Sequence, residues 1–169
     1  MPEGVFGVEV VTPEQALLAG GATSVVLATS EGGFTVLDGH MSLIGDLAPG
    51  LVKVEQPDGA TRRLAVHGGF VQVDTSAGAA QGLAEGDGPL PGLSTRVTLL
   101  AGIAELAEEI DVPRAESARE AASQRIVELG GTRPQDAGEG GESADPALRE
   151  AQAALARAEL RIAVGGGTV

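Results

Sequence analysis

The sequence predicts a β + α protein, with an N-terminal antiparallel β-sandwich followed by a C-terminal two-helix hairpin. Three observations carry this reading. From residue 5 to about residue 101, apolar side chains recur at every second position, the period of half-buried strands. From Val112 the apolar spacing changes to three and four, the period of an amphipathic helix. The strand-like stretches are short, with turn signals about every 8–12 residues, and no helix-length segment separates them, which favours a sandwich or barrel over parallel βαβ units.

Taken in order, Phe6, Val8 and Val10 alternate with Gly7 and Glu9, and Val25 and Leu27 with Ser24 and Val26. Val52 and Val54 alternate with Lys53 and Glu55, and Leu64 and Val66 with Arg63 and Ala65. Val71 and Val73 alternate with Gln72 and Asp74, and Val97 and Leu99 with Thr98 and Leu100. Turn signals fall between them at Gly20-Gly21, Glu31-Gly32-Gly33, Asp38-Gly39, Pro49-Gly50 and Pro57-Asp58-Gly59. Residues 75–95, rich in Ala, Gly, Ser and Pro, read as a flexible surface insertion between two strands. The sandwich is expected over 1–104 and a helical domain over 105–169.

In the first helix Ala115, Ala118, Ala122, Ile126 and Leu129 share one face, and Gly130-Gly131 stop it. Residues 130–145 read as a polar, Gly-rich linker. Asp145-Pro146 cap and open the second helix, whose seam is Leu148, Ala151, Leu155, Ala158 and Ile162. Gly165-Gly166-Gly167 end it. Burial contributes about 25 cal/mol per Å² of apolar surface, so a seam made largely of alanine holds the two helices weakly. Helices this short are marginal alone in water. The hairpin is therefore expected to open or redock more easily than the sandwich.

Composition excludes several function classes. The chain has 169 residues, 43% hydrophobic but only 2% aromatic, and a net charge of −13. Nucleic-acid binding needs a basic surface and stacking aromatics, and both are lacking. The acidity also opposes adsorption to an anionic bilayer. No apolar run approaches the roughly 20 residues of a membrane span. Met1-Pro2-Glu3-Gly4 begins no basic and apolar leader, so a cytoplasmic location is expected. With no cysteine, disulfides, thiolate metal sites and thiol catalysis are out. His40 and His67 are the only histidines and stand in no nucleophile context. No phosphate-cradling glycine loop with lysine and no calcium-loop spacing is present. Neither a catalytic nor a metal site is expected.

The junction Ala101–Ala115 is the densest segment. Asp111 is a suitable N-cap, and Pro113 falls in the first turn, where its missing N–H costs nothing. Arg114 opposes the helix macrodipole there by about 0.3–1 kcal/mol, and a bound anion would reverse that sign.

Beyond this reading, the chain resembles the epsilon subunit family of bacterial proton-translocating ATP synthases along nearly its whole length. The resemblance rests on Val8-Glu9-Val10-Val11-Thr12-Pro13 and on the run from Ser30 to Leu43, SEGGFTVLDGHMSL. It rests also on Val66-His67-Gly68-Gly69-Phe70, on Thr98-Leu99-Leu100-Ala101, and on Glu105 with Ile110-Asp111. It implies a ten-stranded sandwich, two C-terminal helices and a non-catalytic place in the central stalk, against the gamma subunit and the c-ring. It implies coupling of c-ring rotation to the alpha/beta head, peripheral attachment at the cytoplasmic face of the cell membrane, and in many members inhibition of ATP hydrolysis by the helices. The 75–95 insertion and the 130–145 linker are longer than is usual in the family.

The resemblance also implies sites. In some relatives the compact hairpin binds ATP, as a regulatory ligand rather than a required cofactor. The matching positions are Glu105, Ile110, Asp111, Arg114 and Ala115, with Arg157 and Arg161 on the second helix. The two arginines are four apart and share a face. One basic position expected in the first helix is Ala121. Against this stands the plainer reading that Asp111 only caps and that the arginines complement the helix dipole. Ser30, Glu31, Gly32, Gly33, Asp38, Gly39 and His40 are turn residues of the kind the family directs toward gamma and the c-ring, or simply solvated turns. His67 reads as locally packed. Two other classes remain: a stand-alone nucleotide-sensing module, and a carrier domain modified on Lys53, although Lys53 lies inside a predicted strand rather than at a hairpin tip.

Overall fold

The computed structural model describes residues 4–75, 95–130 and 145–167. The expected insertion at 75–95 and linker at 130–145 lie, apart from their end residues, outside the described residues. By compactness the chain divides into two units, Met1–Ala107 and Glu108–Val169.

The first unit is a sheet of ten strands: β1 Phe6–Val11, β2 Ala16–Ala22, β3 Ser24–Thr29, β4 Gly32–Val36, β5 Leu43–Leu47, β6 Gly50–Glu55, β7 Thr61–Val66, β8 Gly69–Asp74, β9 Arg96–Ala101 and β10 Ala104–Leu106. They pair in the order β10-β7-β6-β3-β5-β8-β9-β1-β2, with β4 added on β3. Every pair is antiparallel except β1 with β9, which run parallel from Gly7↔Arg96 to Val11↔Leu100. β3 touches β5 only at Thr29↔Leu47, where the sheet folds over on itself to make two layers. Between them lies one aliphatic core. All thirteen inward positions read from the alternation are buried in it, from Phe6, Val8 and Val10 to Val97 and Leu99.

One turn signal is corrected. Gly20 and Gly21 lie inside β2, opposite Val8 and Gly7, rather than in a turn. Only Gly21 is closely approached, a Cβ on it standing 3.2 Å from Val5 Cγ1 and 3.4 Å from Pro57 Cγ, while nothing lies within 4 Å of one on Gly20. The turn signalled by Glu31-Gly32-Gly33 falls on Ser30–Glu31, and Gly32 and Gly33 open β4 directly after it. Pro57-Asp58-Gly59 does turn the β6–β7 hairpin, with Gln56 N–H donating to Ala60 O at 2.8 Å.

The second unit is an antiparallel helical hairpin, α1 Val112–Glu128 and α2 Pro146–Gly165. Each helix starts on an aspartate cap. Asp111 Oδ1 accepts from Arg114 N–H at 3.0 Å, and Asp145 Oδ1 from Ala147 N–H at 2.8 Å. Ala122, Ile126, Leu148, Ala151 and Leu155 form its small core. Ala118, expected on the seam, is exposed, and Ser123 is buried instead, because the contacting face turns toward the Ala122–Ser123 pair. Ile162 is only half-buried, while Val164 is fully enclosed. α2 runs through Gly165, whose missing side chain lets Ile110 and Val112 close in; a Cβ there would meet a Cγ2 of each at 2.9 Å.

Candidate functional site

The alternation that builds the core also dictates what the outer face of β5, β8, β9 and β1 shows to solvent. Part of that face is polar and internally paired. Gln72 Nε2 donates to Asp74 at 2.7 Å, and Arg96 lies 3.7 Å from Glu9. Among these polar residues stand apolar ones, with the exposed Asp46 paired to Phe70 and Ile44 paired to Gln72. Phe70 and Leu100 are register partners, Leu100 faces Val11, and Ile44 lies diagonally beside Phe70. Ile44 is 76% exposed, Phe70 56% and Leu100 48%. Beside them an open groove is lined by Val11, Thr12, Pro13, Phe70, Leu100 and the glycines Gly68, Gly69 and Gly102. In a chain of net charge −13, a clustered apolar patch of this kind marks a surface made to be covered. Sequence reading placed Leu100 and Val26 outward but did not draw the patch. The available signal was apolar residues at outward positions of β8 and β9.

The expected contact turns lie at opposite ends of β4. Ser30 and Glu31 form the exposed β3–β4 tip, anchored by Ser30 N–H to Asp46 O at 3.3 Å. Asp38, Gly39 and His40 lie in the loop between β4 and β5. There His40 N–H donates to Leu37 O at 3.1 Å, and Gly39 takes φ 78°. The His40 ring stacks obliquely on Phe34, centroids 5.9 Å apart, and its Nδ1 lies 2.8 Å from Met41 O. His67 is packed inside the sandwich, its side chain 5% exposed and Nε2 3.7 Å from Glu105 Oε2. Lys53 sits in the middle of β6, opposite Arg63 and Val26, and not at a hairpin tip.

The nucleotide candidates divide between the two units. Glu105 is the middle residue of β10, paired with Ala65. Ile110, Asp111, Arg114, Ala115, Arg157 and Arg161 belong to the hairpin. Because α2 ends against Ile110 and Val112, Arg161 near its end and Arg114 near the start of α1 lie at the same end of the hairpin. Asp111 is exposed and uses Oδ1 as a cap, and Ala115 is buried at 4% exposure and offers no side chain to a ligand. Arg157 lies 3.7 Å from Glu150. The hairpin end thus carries Arg114 and Arg161 near the N-terminus of α1. Among the described residues no cluster of His, Asp or Glu could hold a metal.

The fold and these surfaces define a class: a β-sandwich with exposed apolar side chains on one face, joined to a small helical hairpin. Residues 5–77 match the family described as the beta-sandwich domain of the ATP synthase Delta/Epsilon chain, and residues 108–166 match its long alpha-helix domain. The chain belongs to this family as an epsilon chain, a stalk subunit of ATP synthase. It is 39% identical over 122 residues to the ATP synthase epsilon chain of Thermobifida fusca, covering 71% of this chain and 76% of that one. It is 33% identical over 158 residues to the epsilon chain of Symbiobacterium thermophilum, covering 93% and 90%. In fold it is similar to a chain in the cryo-EM structure of the Euglena gracilis mitochondrial ATP synthase, at TM-score 0.63 and 22% identity, covering 91% of this chain and 77% of that chain.

Proposed function

We propose that this subunit couples rotation of the c-ring to the catalytic alpha/beta head without doing chemistry itself, held to gamma through the outer face of β5, β8, β9 and β1. The observation that carries this reading is the Ile44–Phe70–Leu100 patch beside its groove. A sheet face left to water is expected to show mainly polar residues, whereas this one also exposes Ile44, Phe70 and Leu100 beside Asp46 and Gln72. Burial of those apolar side chains against gamma would supply affinity, while the paired polar residues form a rim. The exposed Ser30–Glu31 tip is the candidate contact for the c-ring. The subunit would then be peripheral, on the cytoplasmic face, reaching the membrane only through its complex.

The hairpin is the regulatory part of the same proposal. ATP phosphates at Arg114 and Arg161, with Arg157 one turn away, would favour the closed hairpin. When ATP is scarce the hairpin would open, and its helices would reach the head and inhibit hydrolysis. A ligand shifts such an equilibrium only by its differential affinity for the two states. The test has two arms. Deleting 112–169 is expected to raise ATPase activity of the assembled complex and leave assembly intact; loss of gamma binding would refute the division of labour. Calorimetric titration of the full chain with ATP, with and without magnesium, is expected to show saturable binding that Arg114→Ala abolishes. No binding up to millimolar ATP would leave Asp111 and Pro113 as a helix start only.

A further inference from the structure

The loop between β4 and β5 carries two large apolar side chains out into water, Leu37 at 54% and Met41 at 74% exposure, and leads directly into Ile44 on the outer face. Within the loop His40 N–H donates to Leu37 O at 3.1 Å. Further anchors come from far along the chain. Thr95, just before β9 and only 1% exposed, places its hydroxyl between two loop groups. Its Oγ1 accepts from Gly39 N–H at 2.8 Å and donates to Asp38 Oδ1 at 3.0 Å. Its carbonyl meanwhile accepts from Gly7 N–H at 3.1 Å, which ties the same residue to β1. On the other side Thr75 donates through its hydroxyl to His40 O and through its N–H to Ser42 Oγ, the latter at 3.0 Å.

We infer that Thr95 is a positioning residue for partner binding: its buried hydroxyl preorganises the 37–42 loop, so that Leu37, Met41 and the start of β5 meet the partner already in place. The inference rests on the reading of the Ile44–Phe70–Leu100 face as the gamma-binding surface. Its physical basis is that a buried hydroxyl using both its proton and a lone pair on one turn fixes that turn, and a methyl in its place leaves the Gly39 N–H without its acceptor. Ordering a loop before binding removes that cost from the association.

The experiment measures the affinity of the full-length chain for its ATP synthase catalytic complex depleted of this subunit. Thr95→Val, which keeps the shape and loses the hydroxyl, is expected to weaken binding by about tenfold or more. Thr95→Ser, which keeps the hydroxyl, is expected to bind within about threefold of the parent. Equal affinity for Thr95→Val and the parent, or equal losses for both variants, overturns the inference. Ile44→Asp is the separate control on the docking surface. If it leaves affinity unchanged, the docking reading fails; if it weakens binding while Thr95→Val does not, only the role of Thr95 fails. A measurement on the unmodified chain needs no variant to fold. The Gly39 amide is expected to resist hydrogen exchange as core-strand amides do, although it lies in a surface loop, and rapid exchange there overturns the inference as well.

Discussion

Gly69 is where the sandwich tolerates least, and a comparison of two glycines separates the reasons. Gly69 opens β8 with φ 139°, between Leu47 on β5 and Ala101 on β9. A Cβ there would stand 2.1 Å from Leu100 O and 2.9 Å from Ala101 Cα. Both obstructing atoms are backbone, so no side-chain rotation relieves the clash. Gly59, in the β6–β7 turn, also has positive φ, 84°, but nothing lies within 4 Å of its absent Cβ. Gly59→Ala therefore pays only for the backbone region, about 1–2 kcal/mol. Gly69→Ala pays a comparable conformational cost and must also draw β8 away from β9, leaving buried backbone groups unpaired at about 1–3 kcal/mol each. A total of about 3–5 kcal/mol is a large share of the roughly 5–15 kcal/mol of a typical domain. The chain has no Trp or Tyr for fluorescence, so urea unfolding is followed by the methyl resonances of Val71, Val73 and Val97. If Gly69→Ala shifts the midpoint no more than Gly59→Ala does, the close-approach argument is wrong.

Further tests address the hairpin. Ile126 is fully buried at the centre of its small core. Ile126→Ala is expected to cost about 2–5 kcal/mol and to melt α1 and α2 while the sandwich resonances persist, read as loss of the helical circular dichroism alone. For the same reason amides after residue 112 in the parent are expected to exchange faster than those of the sandwich, and equal protection would refute a weakly held hairpin. Gly165→Val would drive two stiff β-branched side chains, Ile110 and Val112, off the end of α2. Faster exchange over 110–115 with unchanged sandwich protection is the expected result.

The parts of the fold that were legible are those written in local period. Period two placed thirteen core residues of β1, β3, β6, β7, β8 and β9, because a one-residue slip would reverse the faces, but it missed Ala101 in the core and read the buried Ala65 as outward. Asp111 and Asp145 were readable as caps because capping chemistry is local. β2, with its sequence ALLAGGA, and β5, LIGDL, show no alternation, because apolar residues and glycine stand at successive positions and blur the two faces. The parallel pairing of β1 with β9 joins residues about 90 apart and leaves no local trace.

The functional surfaces were hidden for a related reason. Outward apolar residues such as Phe70 and Leu100 look, one at a time, like ordinary exceptions to alternation, since scattered exposed apolar residues are common. They become a patch only when β8 and β9 place them side by side and β5 brings Ile44 next to them. The same holds for Thr95, which in sequence is one more polar residue beside a Ser- and Gly-rich stretch. Its meaning comes from a hydrogen bond reaching back 56 residues to Gly39. What this protein offers to its partners is therefore encoded mostly in long-range register, while the elements that carry those groups are encoded locally.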